Sequence, residues 1–274
     1  MTTFDTAFDR AFSKGKPAEG APRREEMLKT PLEDIFETRD HFDYDPTRLV
    51  VSTTVVGEQY RTLKTNLGRL CETEGLTSAV FSSSLKGEGK TTVAVNTARE
   101  FARERKAKIA VVDCDFKRPG LGRFCGVEPS AGIEDALSGQ APLAECGIYS
   151  RRDNFAVFPV KSRPRETGEI LTADAIRRLL GELEHIFDLV LFDTSPVLST
   201  SEPLVLGART GGVVLVVRAG TTQRESVLYS QGQLEQAGCR LLGLVLNARA
   251  SYVPRLWLLR RYDYFADYYR YKAS

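Results

Sequence analysis

The apolar run Ala79-Val80-Phe81 leads into Ser82-Ser83-Ser84-Leu85-Lys86-Gly87-Glu88-Gly89-Lys90-Thr91-Thr92, and the helix-like Val93-Ala94-Val95-Asn96-Thr97-Ala98 follows. Strand, glycine-bearing loop and helix in that order leave few folds open. Gly87 and Gly89 let backbone N–H groups turn inward around an anion, Lys90 brings a charge to the β- and γ-phosphates of a nucleotide, and the Thr91 hydroxyl serves Mg²⁺. The expected nucleotide contacts therefore run through Gly87, Glu88, Gly89, Lys90, Thr91 and Thr92. The pattern is a Walker A loop in which Ser84 stands where the first glycine is usual, so the loop must be entered without a residue free to take positive φ.

Beyond the loop, the sequence alternates between helix-length segments and short apolar runs at Lys108–Asp113, Phe155–Val160, Leu189–Phe192, Val213–Val217 and Leu241–Leu246. Runs apolar on both sides of the pleat belong to a parallel sheet covered by helices. Helices are expected at Lys90–Arg105, Ala173–Phe187, Glu202–Ala208 and Gln223–Ala237. Ligands of such sheets lie outside the carboxyl ends of the strands, and two of those ends are acidic. One is Asp113-Cys114-Asp115-Phe116-Lys117-Arg118-Pro119 and the other Asp193-Thr194-Ser195-Pro196. Asp113, Asp115 and Asp193 are hard oxygen donors suited to a nucleotide's Mg²⁺, mostly through coordinated water. Either segment alone is also what a helix cap or a turn uses.

Residues 1–47 read as a tail. Phe4, Phe8 and Phe12 share a helical spacing that suits either a docking peptide or a segment lying on the domain's own surface, and Ser13 to Pro46 is rich in Pro, Gly and charge. The folded domain is expected over 48–250, with a helix over Gly57 to Leu70 carrying Tyr60, Leu63, Leu67 and Leu70 on one face. Glu58, Arg61 and Lys64 on that helix are explained adequately by ordinary surface ion pairing. Residues 251–274 form a second tail with Tyr262, Tyr264, Tyr268, Tyr269 and Tyr271 among interleaved Arg and Asp, a composition that suits an exposed segment. The formal net charge of +2 argues against nucleic acid as a partner. The five scattered cysteines fit a reducing cytoplasm, and no run approaches the roughly 18 apolar residues of a membrane span.

The loop, both acidic strand ends and the terminal tyrosines, in this order over about residues 50 to 274, resemble the bacterial tyrosine kinases (BY-kinases) that autophosphorylate and control polysaccharide export. Glu58-x-x-Arg61-x-x-Lys64 is similar to that family's Glu-x-x-Arg-x-x-Arg assembly motif, and the family commonly lacks the first Walker A glycine too. Lys64 and Lys117 stand where the family usually has Arg, and Lys86 where it usually has Pro. The resemblance implies a doubly wound α/β fold, a mostly parallel sheet of the P-loop NTPase type with helices on both faces, and transfer of the γ-phosphoryl of ATP to tyrosine. Lys90 would hold the phosphates, Thr91, Asp115 and Asp193 would organise Mg²⁺, and Asp113 would orient or deprotonate the phenol. It further implies a homo-oligomeric ring assembled through Glu58, Arg61 and Lys64, with the five tail tyrosines modified in trans. The expected partners are a separate transmembrane adaptor, which recruits this cytoplasmic chain to the inner face of the plasma membrane, and a tyrosine phosphatase. Phosphorylated tails are expected to be repelled from an acidic Mg²⁺ site. A P-loop switch ATPase and a non-catalytic nucleotide-binding assembly module, both of the partition and septum-placement type, are the alternatives.

Overall fold

The computed structural model describes residues 24–51, 53–164 and 167–248, so the phenylalanine stripe and the tyrosine cluster lie outside the described residues. Eight strands form one sheet in the order β1-β4-β5-β3-β6-β2-β7-β8, where β1 is Glu37–Arg39, β2 Ser78–Ser83, β3 Ile109–Cys114, β4 Ile148–Ser150, β5 Phe155–Phe158, β6 Leu189–Thr194, β7 Val213–Arg218 and β8 Leu241–Asn247. Every pairing is parallel except β4 with β5, which run antiparallel through a turn where Asn154 takes a φ of 61°. Strands β2, β3 and β6 are buried along their whole length, around the apolar stretches 79–81, 109–112 and 189–192.

The period of two sends alternate side chains to opposite faces. Ala110 and Val112 of β3 join one core and Ile109 and Val111 the other. The first core is covered by the helix Ala173–Ile186, whose Ile176, Leu179, Leu180 and Leu183 recur on one side. The second is covered by the helices Val55–Glu74 and Lys90–Ala102. The Val55–Glu74 helix starts where the Thr54 hydroxyl accepts the Gly57 N–H (3.1 Å) and stops at Gly75, whose φ of 67° costs a residue without Cβ little. Tyr60 and Leu67 of its expected apolar face are buried, with Leu63 and Leu70 packed beside them.

The boundary expected at residue 47 is corrected here. Residues 24–47 are part of the fold: a short helix, Arg24–Lys29, and a 3-10 turn, Leu32–Asp34, precede β1, which pairs with β4. Met27, Leu32, Ile35 and Phe36 enter the first core and Phe42 the second, so the segment straps the sheet edge from one face to the other. Phe36 stacks on Phe187 (5.7 Å) and Phe42 meets Phe155 (5.3 Å). Sequence composition missed this because the five apolar residues are irregularly spaced among charges and their partners lie far along the chain. The four cysteines 114, 125, 146 and 239 are buried free thiols, and Cys71 is half-buried.

Candidate functional site

The phosphate loop leaves β2 at Ser83 and becomes helix at Lys90. Gly87 (φ 79°) and Gly89 (φ 94°) both take the left-handed region, the conformation that turns successive N–H groups inward. A Cβ on Gly89 would overlap the side-chain amide of Asn247, which donates to the Glu88 carbonyl (2.8 Å). Glu88 departs from expectation. Its backbone belongs to the cradle, but its buried carboxylate points the other way, accepting the Leu85 N–H (2.8 Å), the Thr222 hydroxyl and the Arg218 N–H (3.4 Å). The Arg218 guanidinium in turn donates to the Gly87 carbonyl (2.9 Å). The loop is thus pinned to the end of β7.

The acidic strand ends meet it from β3 and β6. Asp113 and Asp193 stand opposite each other in register, both fully buried. Thr91 donates its hydroxyl to Asp193 Oδ2, and Asp193 Oδ1 is buried with no protein partner. The buried hydroxyl of Ser195 is equally unpartnered. Lys90 Nζ is 3.9 Å from Asp115 Oδ2, and Asp115 also accepts the Arg118 N–H (3.0 Å). Burial pushes Asp115 above the usual carboxylate range against the pull of Lys90. Burial also pushes Asp193 up to about 7, opposed by Lys90 and the Thr91 hydroxyl.

Asp113 does not take the position expected of a base. Its oxygens accept the N–H groups of Asp115, Gly120 and Leu121, each at 3.0 Å, so it shapes the loop that presents Asp115 rather than facing the cavity. Burial and then the Asp193 carboxylate raise its pKa. A cavity of about 1040 Å³ opens over these strand ends, and Lys90, Thr91, Thr92, Asp115 and Ser195 line it. Sequence reading missed Ser195, Arg218 and Asn247, although the ends of β7 and β8 were a signal as good as those of β3 and β6. It also missed Glu202, 3 % exposed with Oε2 unpartnered, which begins the helix Glu202–Gly207 after β6.

An oxygen-only donor set with an orphaned carboxylate oxygen, the half-buried Thr91 hydroxyl and the buried Ser195 hydroxyl fits Mg²⁺, a cation that keeps several waters and borrows phosphate oxygens. Among the described residues no three His, Cys, Asp or Glu side chains gather to hold a metal by themselves. The raised Asp193 has a consequence for the empty chain. Its unfolded pKa is near 3.9 and its folded one about 7, so the native state keeps a proton that the unfolded state releases, and stability falls as pH rises through that window. Asp193→Asn should therefore melt above the parent at pH near 8 by on the order of a few degrees, and by less near pH 5. Melting curves without nucleotide or Mg²⁺ that differ equally at both pH values would overturn this.

Glu58, Arg61 and Lys64 lie away from the cavity on the exposed side of their helix. Arg61 pairs with Glu58 one turn back (Nε to Oε2 3.0 Å), and Lys64 pairs with Glu104 over the Phe101 ring.

No protein-family model matches the chain. It is 29 % identical over 192 residues to the tyrosine-protein kinase YwqD of Bacillus subtilis, covering 70 % of this chain and 81 % of that one. It is 30 % identical over 191 residues to the tyrosine-protein kinase etk of Escherichia coli K12, where the match spans 69 % of this chain and only 26 % of the relative. The solved kinase domain of Escherichia coli tyrosine kinase ETK superposes with a TM-score of 0.68 at 25 % identity, covering 82 % of this chain and 84 % of that domain. Among the described residues no helix is long and apolar enough to cross a membrane. With a Walker A loop and two acidic strand ends, the chain is similar in sequence to bacterial tyrosine-protein kinases and has the fold of the ETK kinase domain.

Proposed function

We propose that the chain transfers the γ-phosphoryl of ATP to Tyr262, Tyr264, Tyr268, Tyr269 and Tyr271 of a neighbouring copy, in an oligomer that regulates polysaccharide synthesis or export. The observation that carries the reading is the junction of Lys90, Thr91 and Asp115 on one cavity wall, with the buried Asp193 bonded to Thr91 and its Oδ1 left without a protein partner. The phenol oxygen attacks the γ-phosphorus, the bond to the bridging oxygen breaks, and ADP leaves. Lys90 neutralises charge on the phosphates, and the inward N–H groups from Gly87 to Thr91 orient them. Thr91 and Asp193 would hold Mg²⁺, which would supply charge neutralisation at the phosphates. With Asp113 committed to backbone N–H groups, the phenol proton goes to Asp115, the acceptor that lines the cavity and whose raised pKa suits that role.

A copy with Lys90→Met and intact tyrosines, mixed with an active copy whose five tail tyrosines are Phe, should acquire phosphate on its tail by mass spectrometry. An inactive chain that stays unmodified removes transfer in trans, and phosphate only on Tyr44, Tyr60 or Tyr149 removes the tail as substrate.

The ring, the transmembrane adaptor that brings the chain to the inner face of the plasma membrane and the opposing phosphatase are part of the same reading. Glu58, Arg61 and Lys64 would have to exchange their present partners for those of a neighbour, and Lys64 lacks the fork of an arginine. Association should thus be weak and salt-sensitive. Changing all three to Ala should give a monomer that still binds ATP, and an unchanged mass by light scattering would make them surface ion pairs only.

A further inference from the structure

The β8 side of the sheet carries an apolar groove of about 310 Å³. The helix Val55–Glu74 lines it with Leu63, Leu67 and Leu70, and the edge strand β8 with Leu242 and Val245, together with Val214 of β7. Among the described residues Arg69 is its one charged lining side chain, and Asn66 adds an amide. The edge strand is irregular here. Val213 pairs with Leu241 but Val214 with Gly243, so Leu242 is the extra residue of a bulge, and beyond it Leu244 and Leu246 are 56 % and 60 % exposed. Among the described residues β8 has no outer neighbour, and exposed leucines on such an edge are a liability that folded chains cover.

The chain supplies a cover of the right kind close by. Residues 249–274 follow directly on the end of β8, and they hold the uninterrupted apolar run Leu256-Trp257-Leu258-Leu259, whose tryptophan is the single one in the sequence. Trp257 stands nine residues beyond Ala248 and can reach up to about 30 Å from it. Leu242 and Val245 of the groove lie six and three positions back along β8, or about 20 and 10 Å. So short a tether keeps this run at an effective concentration that a separate molecule does not match. Composition agrees: a groove with one charge takes an aromatic ring and leucines in preference to the Arg, Asp and Tyr that follow them, and the Asn66 amide oxygen suits an indole N–H.

We propose that Trp257 and its flanking leucines seat in this groove of their own chain and anchor the root of the tail. Strands β2, β7 and β8 run parallel, and the phosphate loop leaves the carboxyl end of β2, so a tail running back along β8 moves away from its own cavity. Tyr262 to Tyr271, five to fourteen residues past the anchor, are then turned toward another copy. That consequence rests on the kinase reading above, whereas the anchor itself is tested without turnover.

A single tryptophan makes the measurement direct, because selectively excited emission of the full chain reports on Trp257 alone. Without nucleotide, that emission should be blue-shifted and shielded from iodide, equally at low and high protein concentration. Two variants remove the seat from opposite sides. Leu70→Gln with Leu244→Gln makes the groove polar at one half-buried and one exposed position, and Leu256→Ser with Leu258→Ser and Leu259→Ser leaves the groove as it is. Each should shift the emission to the red and raise the iodide quenching constant several-fold, while far-UV circular dichroism stays parental. A parent tryptophan as open to iodide as that of a short peptide would overturn the proposal, as would a folded groove variant that keeps the shielding. Shielding that grows with protein concentration would make a second copy the occupant, and shielding that appears only with vesicles of anionic phospholipid would make the run a lipid anchor; either result overturns the proposal. A shielded Trp257 in a chain that never phosphorylates tyrosine would sink the kinase reading and leave the anchor standing.

Discussion

Lys90→Met is expected to lower tyrosine phosphorylation by about a thousandfold or more while the chain stays folded. The ammonium is the charge that opens the helix Lys90–Ala102 toward the phosphates, and it meets negative charge that grows on the bridging oxygen as ADP departs. Methionine has similar reach and volume, so the packing around a side chain that is only 7 % exposed survives. The partner left behind is Asp115, whose pKa burial already raises, so loss of the ammonium shifts it further toward its neutral form. Melting should therefore move by no more than a few degrees, about the scale of one weak interaction in a domain of this size. Anti-phosphotyrosine blotting with Mg·ATP reads the first effect and calorimetry the second. A folded variant with parental activity would remove the phosphate-loop reading, and one that fails to fold would show that Lys90 is structural.

Glu88→Ala is expected to be damaging in the opposite sense, unfolding the site without removing any atom that touches substrate. The carboxylate takes the Leu85 N–H and the Thr222 hydroxyl at a position 2 % exposed. Truncation leaves these donors facing a cavity, at a cost of about 3 kcal/mol or more. The loop also loses its link to β7, so the inward N–H groups must be ordered at the expense of binding, and nucleotide affinity should fall by about tenfold or more. Glu88→Gln, which keeps an acceptor oxygen, should recover part of both losses. Titration with a non-hydrolysable ATP analogue, alongside thermal melts of the empty proteins, separates the two effects. Parental stability in Glu88→Ala would mean that the three contacts carry no net energy.

These two residues mark how far the sequence could be read. Lys90, Thr91, Asp115 and Asp193 were legible because each sits in a local string, a loop or a strand end, whose spacing implies where the backbone delivers it. The sheet was legible for the same reason, since β2, β3, β6 and β7 are built around short apolar runs. Glu88 shares the local string, but its side chain answers to Thr222 and Arg218, and nothing near residue 88 announces them. Asp113 misled in a similar way: it looks like a ligand at a strand end, yet the Gly120 and Leu121 N–H groups that claim it arrive by a turn of the loop. The basic lining of the cavity was invisible because no single segment holds it. Lys117, Arg118 and Arg123 pass as a charged turn and a short helix, Arg163 as a loop residue, and only the sheet order puts them around one opening.

The strap formed by residues 24–47 decides where the chain can be shortened for experiments on assembly. A version beginning at 48 would strip Phe36 from Phe158 and Phe187 on one face and Phe42 from Phe155 on the other. Each emptied aromatic seat costs about 3–5 kcal/mol and leaves neighbouring rings open to water. It would also leave β4 as a bare sheet edge, a ready template for a stray strand from another molecule. Such a shortened protein would gather into larger particles through sticky rings and an open edge, and its mass in solution would imitate an ordered ring without reporting one. Subunit counts carry meaning only when the protein weighed keeps everything from Arg24 onward.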